Sequence, residues 1–262
     1  MSPIIATAVQ CLRDEAQALL DLIPSIGSEF QLAVELILQC RGKVIVTGVG
    51  KSGHIGAKIA ATLSSTGTPS FFINPLDAFH GDLGVIGVDD VVLAISNSGE
   101  TDELLRFFPY LLARKIPVIG MSGNPASLLA QYSSVHLSIE VDKEACPMGL
   151  APTTSTTVTL ALGDALACAL IVARDFKASD FAQFHPGGAL GRRLLTCAKD
   201  VMHTENLPTV SPDTLMGEAL VNMTSGRLGL CVAVDKNNIV GIVTDGDIRR
   251  AMERFGDNFF KH

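Results

Sequence analysis

Apolar positions recur with a helical period over Ile5–Ile23 and Glu29–Gln39, interrupted at Pro24 and Gly27. Beyond residue 40 the pattern changes to short apolar runs, each ending in small polar residues. These runs predict strands at Lys43–Thr47, Pro69–Asn74, Val91–Ser96, Pro117–Met121 and Ser134–Ile139. Between them the spacing predicts a helix through about Leu63, one from Thr101 to Ala113 and a short one at Ala126–Gln131. A long Ala/Leu/Thr helix is expected at Thr153–Ala173. Because the strands are near-continuously apolar, both faces of the sheet must be covered. The expected fold is α/β: an open, Rossmann-like, five-stranded parallel sheet flanked by helices. Ligands of such sheets bind beyond the C-terminal strand ends.

The alternation stops near Cys197. From Asp200 the chain predicts a short helix, a strand at Thr209–Val210 and a helix at Thr214–Thr224. A hairpin of Leu230–Val234 and Ile239–Thr244 follows, turning at Asp235–Asn238, and a last helix starts at Asp245. This β-α-β-β-α unit of about sixty residues is expected to be a second domain, dividing the chain into 1–196 and 197–262.

Composition narrows the function. The mean hydropathy of +0.35, with aromatics at 5% and no Trp, implies a core of Ala, Val, Leu and Ile. A net charge of −7 without a Lys/Arg block argues against nucleic acid, whose phosphates need a basic face. An anionic ligand would therefore need a local site. The cysteines (Cys11, Cys40, Cys146, Cys168, Cys197, Cys231) are scattered without a CxxC pair, as expected of reduced thiols in a cytoplasmic protein. No signal peptide is evident at the N-terminus. The apolar run Leu160–Ala173 reads as too short for a membrane span and contains Asp164, so a core or interface helix is expected.

The segment Val44–Gly56, VIVTGVGKSGHIG, contains both Gly48-x-Gly50-x-x-Gly53 and Gly50-Lys51-Ser52. A dinucleotide site needs a carboxylate at the end of the second strand, which ends here in Asn74-Pro75. A triphosphate loop needs a glycine where the chain has Ile45. Neither nucleotide reading is satisfied. Glycines that let N–H groups approach an anion remain, with Ser52 opening a helix. The plain alternative is a tight strand–helix turn with a solvated Lys51. A second strand end, Ser96-Asn97-Ser98-Gly99-Glu100-Thr101, adds converging hydroxyls and amides that can hold a monoester phosphate. The carboxylates of Glu100, Asp102 and Glu103 should then point away from it. Here the plain alternative is a well-capped helix start.

The segments GVGKSGHIG, NPLDAFHGDLG, ISNSGETDE, KEACPMGLAPTTST and HPGGALGRRL occur in that order. Together they resemble the sugar isomerase (SIS) domain of D-arabinose 5-phosphate isomerases, and TDGDIRR resembles their cystathionine-β-synthase (CBS) module. The resemblance implies interconversion of D-ribulose 5-phosphate and D-arabinose 5-phosphate, supplying octulosonate for lipopolysaccharide or capsule, without metal or organic cofactor. It implies that Ser52, Ser96, Ser98 and Thr101 hold the phosphate, and that Lys51, His80, Glu103, Glu144 and His185 belong to the active site. Glu144 and His185 both stand as candidates for the carbon base. A partly shielded loop carboxylate gains basicity, which favours Glu144, whereas a histidine titrates near neutrality. Cys146 reads as structural, and no pair has helical metal-ligand spacing. The family further implies a homo-oligomer, a tetramer, with His185 reaching a neighbouring subunit's site. Thr244 and Asp247 would contact a nucleotide or sugar nucleotide in the CBS module. The equal alternative for a single such module is a ligand-free dimerisation wedge.

Overall fold

The computed structural model describes residues 1–78, 80–256 and 259. The chain divides into two compact units, Met1–Leu195 and Thr196–His262.

The first unit opens with helices α1 (Pro3–Leu22) and α2 (Ser28–Gln39). Ser2 caps α1, its hydroxyl accepting from the Ile5 amide, and Pro3 occupies the first turn, where no N–H is needed. Five strands follow: β1 (Val44–Gly48), β2 (Ser70–Ile73), β3 (Val91–Ile95), β4 (Val118–Ser122) and β5 (Val135–Ser138). They form a wholly parallel sheet in the order β2-β1-β3-β4-β5. The five-stranded α/β expectation holds. Successive strand residues alternate between two cores. Val44, Val46, Leu93, Ile95, Ile119 and Met121 face one side with Ile59, Leu162 and Leu166. Ile45, Val92, Ala94 and Val118 face the other with Phe107, Phe108 and Leu111. Burial on both faces explains the uninterrupted apolar runs.

Helix α3 (Gly50–Ser65) leaves β1 directly. A side chain at Gly53 would place its Cβ 2.6 Å from the Gly48 carbonyl oxygen, so only glycine permits this tight strand–helix turn. After the short helix α4 (Pro75–Ala78), the helix expected over Thr101–Ala113 is instead two: α5 (Asp102–Leu105) and α6 (Phe108–Ala113). Pro109 sits in the first turn of α6 and has no N–H for the Leu105 carbonyl, so a continuous ladder is impossible. Helix α7 (Leu128–Tyr132) leads to β5, and α8 (Thr154–Ala173) is the long apolar helix.

Helix α8 is longer than the apolar run Leu160–Ala173 that read as too short for a membrane span. At 20 residues α8 is long and apolar enough to cross a membrane. What places it in the protein is packing: Val158, Leu162, Leu166 and Leu170 are buried in the first core, and Asp164 pairs with Lys58 of α3. Two helices absent from the sequence reading, α9 (Ala178–Phe184) and α10 (Ala189–Leu195), complete the unit.

The second unit begins with α11 (Ala198–Val201), then β6 (Thr209–Val210), α12 (Met216–Gly226), β7 (Leu230–Asp235), β8 (Asn238–Thr244) and α13 (Asp245–Phe255). Its sheet runs β6-β7-β8, with the hairpin antiparallel and β6 parallel to β7. Lys236 and Asn237 both have positive φ, giving the two-residue turn that matches strand twist. Met223, Cys231 and Ile248 anchor the small core.

Candidate active site

In a parallel sheet ordered β2-β1-β3-β4-β5, the connections leave β1 and β3 in opposite directions. The crevice between their C-terminal ends is the switch point where ligands bind. A pocket of about 330 Å³ occupies it, lined by Val49, Lys51 and Ser52 after β1, by Ile95 at the end of β3 and by Ser96, Asn97, Ser98 and Thr101 beyond it. Pro152, Ser155, Thr156 and Thr159 close the opposite side. Residues distant in sequence, Lys51-Ser52 and Ser96–Thr101, thus share one cavity.

The loop after β3 is organised by its own hydrogen bonds. Ser96 Oγ accepts from the Gly99 amide at 3.0 Å and lies 2.8 Å from Thr101 Oγ1. Ser98 Oγ accepts from the Glu100 amide at 3.2 Å. Gly99 has φ +68 and lies against Ser127, where a side chain would collide with the serine. The loop is also tied to the segment after β4: the Leu129 amide donates to Gly99 O, the Gly123 amide to Asn97 O, and the Leu128 amide to Glu100 Oε1 at 2.8 Å. Glu100 therefore faces away from the cavity. Among the described residues no carboxylate lines this pocket, as the charge argument requires. Lys51 supplies fixed positive charge, and α3 begins at the cavity without a side-chain cap, leaving first-turn N–H groups for an anion.

The remaining candidates lie outside the lining. His80 is exposed in the turn after α4, its amide donating to Asp77 O at 2.9 Å. Glu103 sits half-buried in the first turn of α5. His185 caps the C-terminus of α9. Its ring stacks on Phe181 at 4.0 Å between centroids, and its Nδ1 lies 2.9 Å from the Phe181 carbonyl oxygen. That carbonyl can only accept, so the geometry favours the Nδ1–H tautomer and leaves Nε2 as the basic nitrogen. Among the described residues no cluster of three or more His, Cys, Asp or Glu side chains could hold a metal ion.

Glu144 departs from the reasoning that made it basic. Its Oε2 accepts from the amides of Thr153 (2.7 Å) and Ser155 (3.2 Å) and from the Thr153 hydroxyl (3.1 Å). Its Oε1 accepts from the Ser155 hydroxyl. Burial alone would raise this carboxyl, but the four donated hydrogen bonds outweigh it and hold the group below the usual carboxylate range. In this state Glu144 is the capping carboxylate of α8. Among the described residues it is joined to the pocket lining through Ser155.

Thr244 and Asp247 likewise serve a helix start. The Thr244 hydroxyl and amide both donate to Asp247 Oδ2, at 2.7 and 2.9 Å, and the Asp247 amide donates back to Thr244 Oγ1. This capping box opens α13. The hydrogen bonds from Thr244, reinforced by Arg250, lower the Asp247 carboxyl to about 2.

Sequence reasoning assigned no individual role to Asn97, Ser155, Thr156 or Thr159. For Ser155 and Thr156 the signal was the hydroxyl run Thr153–Thr157 opening an otherwise apolar helix, with Thr159 one turn on, and for Asn97 its place in the Ser96–Thr101 loop.

The open parallel sheet with a hydroxyl-lined pocket at its switch point is that of an SIS-domain protein, and residues 37–169 match the SIS domain model. Residues 198–254 match that of the CBS domain. The chain is 54% identical over 246 residues to arabinose 5-phosphate isomerase KdsD of Yersinia pestis, covering 93% of this chain and 75% of that protein. It is 54% identical over 252 residues to KdsD of Pseudomonas aeruginosa, covering 95% and 77%. A solved Escherichia coli CFT073 protein, c3406, in complex with arabinose 5-phosphate, superposes with a TM-score of 0.68 at 42% identity, over 71% of this chain and all of that one. The chain belongs to the SIS-domain arabinose 5-phosphate isomerase family.

Proposed function

We propose that this chain interconverts D-ribulose 5-phosphate and D-arabinose 5-phosphate through an enediol, feeding octulosonate synthesis. The observation that carries the reading is the carboxylate-free pocket of Ser52, Ser96, Ser98 and Thr101 beside Lys51. Those hydroxyls and the α3 N-terminus suit a dianionic monoester. The ketose cannot close a furanose because its C5 oxygen is esterified, so it arrives open-chain. A base removes a proton from C1, and O2 takes one up to give the C1–C2 enediol. C2 then gains a proton as the C1 hydroxyl loses one, yielding the aldehyde. Charge develops on oxygen in both halves, and the Lys51 ammonium neutralises it.

For the carbon base, the four donors on Glu144 argue for His185, whose Nε2 is left with the lone pair. His185 lies outside its own chain's pocket lining, in keeping with an oligomer, a homotetramer, whose subunits share sites. Glu103 and His80 then orient substrate hydroxyls. The CBS module holds a nucleotide or sugar nucleotide only if the Thr244–Asp247 cap opens to receive it. The two domains are 1–196 and 197–262, and the protein is cytoplasmic.

Incubation with ribulose 5-phosphate in heavy water tests the reaction. Arabinose 5-phosphate carrying deuterium at C2 is expected; absence of both product and label would refute it. Mixing inactive His185→Ala with inactive Glu144→Ala subunits should restore part of the activity. Verified mixed oligomers without recovery would place both residues in one chain's site.

A further inference from the structure

The two walls of the pocket differ in hydrogen-bond sense. On the α8 wall every hydroxyl proton is already committed. Ser155 Oγ donates to Glu144 Oε1. Thr156 Oγ1 donates to the Thr153 carbonyl at 2.8 Å. Thr159 Oγ1 donates to the Ser155 carbonyl at 2.7 Å. Their partners are carboxylate or carbonyl oxygens, which cannot donate back, so the direction of each bond is fixed. Each hydroxyl therefore keeps only lone pairs for anything in the cavity. Ser155 and Thr159 are buried, at 2% and 4% exposure, and Thr156 is half-buried.

The facing wall has the opposite character. Lys51 has only donors, α3 presents uncapped first-turn N–H groups, and among the described residues the Ser52 hydroxyl makes no hydrogen bond. Ser98 Oγ accepts from the Glu100 amide and lies 3.4 Å from Ser96 Oγ, a long contact in which either hydroxyl can donate, so its proton can turn to a ligand.

We propose that the first two turns of α8 form an acceptor wall that reads the hydroxyl groups of an open-chain sugar, with Thr156 and Thr159 as specificity-determining residues. Lone pairs repel a phosphate but accept from a polyol, each of whose hydroxyls carries a donor. A ligand with an anion at one end and hydroxyls along its length is thus held in one direction, phosphate on the loops after β1 and β3 and polyol along α8. A deoxy analogue would leave buried acceptors unpaired and be rejected for that reason. This inference rests on the sugar-phosphate reading above and adds which residues choose the sugar.

The test measures binding, so it does not depend on turnover. Calorimetry would compare D-arabinitol 5-phosphate, which cannot isomerise, with inorganic phosphate. Thr156→Val removes the hydroxyl at nearly constant shape, and Thr156→Ser retains it. Thr156→Val should weaken arabinitol 5-phosphate about tenfold, the worth of one such hydrogen bond, and leave phosphate affinity unchanged. Thr156→Ser should restore most of the loss, and Thr159→Val should reproduce it. Unaltered arabinitol 5-phosphate binding in both valine variants would overturn the proposal. So would an equal loss for inorganic phosphate, which would mean a generally displaced pocket. Wild-type protein that binds phosphate no more weakly than arabinitol 5-phosphate would also overturn it. Wild type that binds both ligands in the predicted order without turnover would instead refute the isomerase reading alone.

Discussion

Removing the Glu144 carboxylate should destabilise the first unit in a pH-dependent way. The side chain accepts four hydrogen bonds from Thr153 and Ser155 at the start of α8. Ser155 is 2% exposed, so in Glu144→Ala its amide and hydroxyl lose their acceptor in a place water does not readily reach. A buried donor left unsatisfied costs about 1–3 kcal/mol, so two should cost roughly 2–4 kcal/mol after partial relaxation. For a chain of this size, at about 2–4 °C per kcal/mol, that corresponds to a melting point lower by roughly 4–16 °C. Glu144→Gln keeps one acceptor oxygen, which can serve the three donors at Oε2, and should lose about half as much.

The pH dependence has a definite sign. The folded-state carboxyl lies below its ordinary value, so its stabilisation is complete above the unfolded-state pKa. It is lost as pH falls through the folded value. The gap between wild type and Glu144→Gln should therefore be full at neutral pH and shrink on acidification below about pH 4. Thermal melts by circular dichroism across that range measure it. A Gln variant as stable as wild type at neutral pH, or a gap that widens in acid, would refute the capping assignment.

Three further outcomes follow from the same geometry. Gly53→Ala should destabilise by about 1–3 kcal/mol in denaturant titration, because its Cβ would press on the Gly48 carbonyl and neither backbone can retreat. Asp90, 3% exposed, accepts from the Lys43 amide and ammonium and the Gly87 amide. Burial would raise its carboxyl, but these bonds lower it. Asp90→Ala should therefore cost about 2–4 kcal/mol at neutral pH, read as reduced denaturant midpoint, since it leaves the Lys43 and Gly87 amides without their acceptor while the partly exposed Lys43 ammonium turns to water. Lys51→Met should lower kcat for ribulose 5-phosphate roughly a hundredfold, as loss of a charge-stabilising donor does. A change confined to KM would reassign Lys51 to simple binding.

Sequence alone determined the strands, the sheet's parallel character and the two small-residue loops after β1 and β3. These are local matters: a run such as Val44–Thr47 declares its burial by composition, and Gly53 or Ser96-x-Ser98 declares its turn chemistry within a few residues. The helix over Thr101–Ala113 misled because its apolar spacing continues through Pro109, where the hydrogen-bond ladder cannot. Helices α9 and α10 escaped because they are only seven residues each, too short for a period to stand out. Tertiary structure decided what faces what. Glu144 read as a shielded base until the chain folded back to place the first amides and hydroxyls of α8 upon it. Thr156 and Thr159 were only members of a long Ala/Leu/Thr helix until that helix met the loops after β1 and β3. A side chain's chemistry depends on the donors, acceptors and water around it, and here those neighbours are set by packing between segments far apart in the chain.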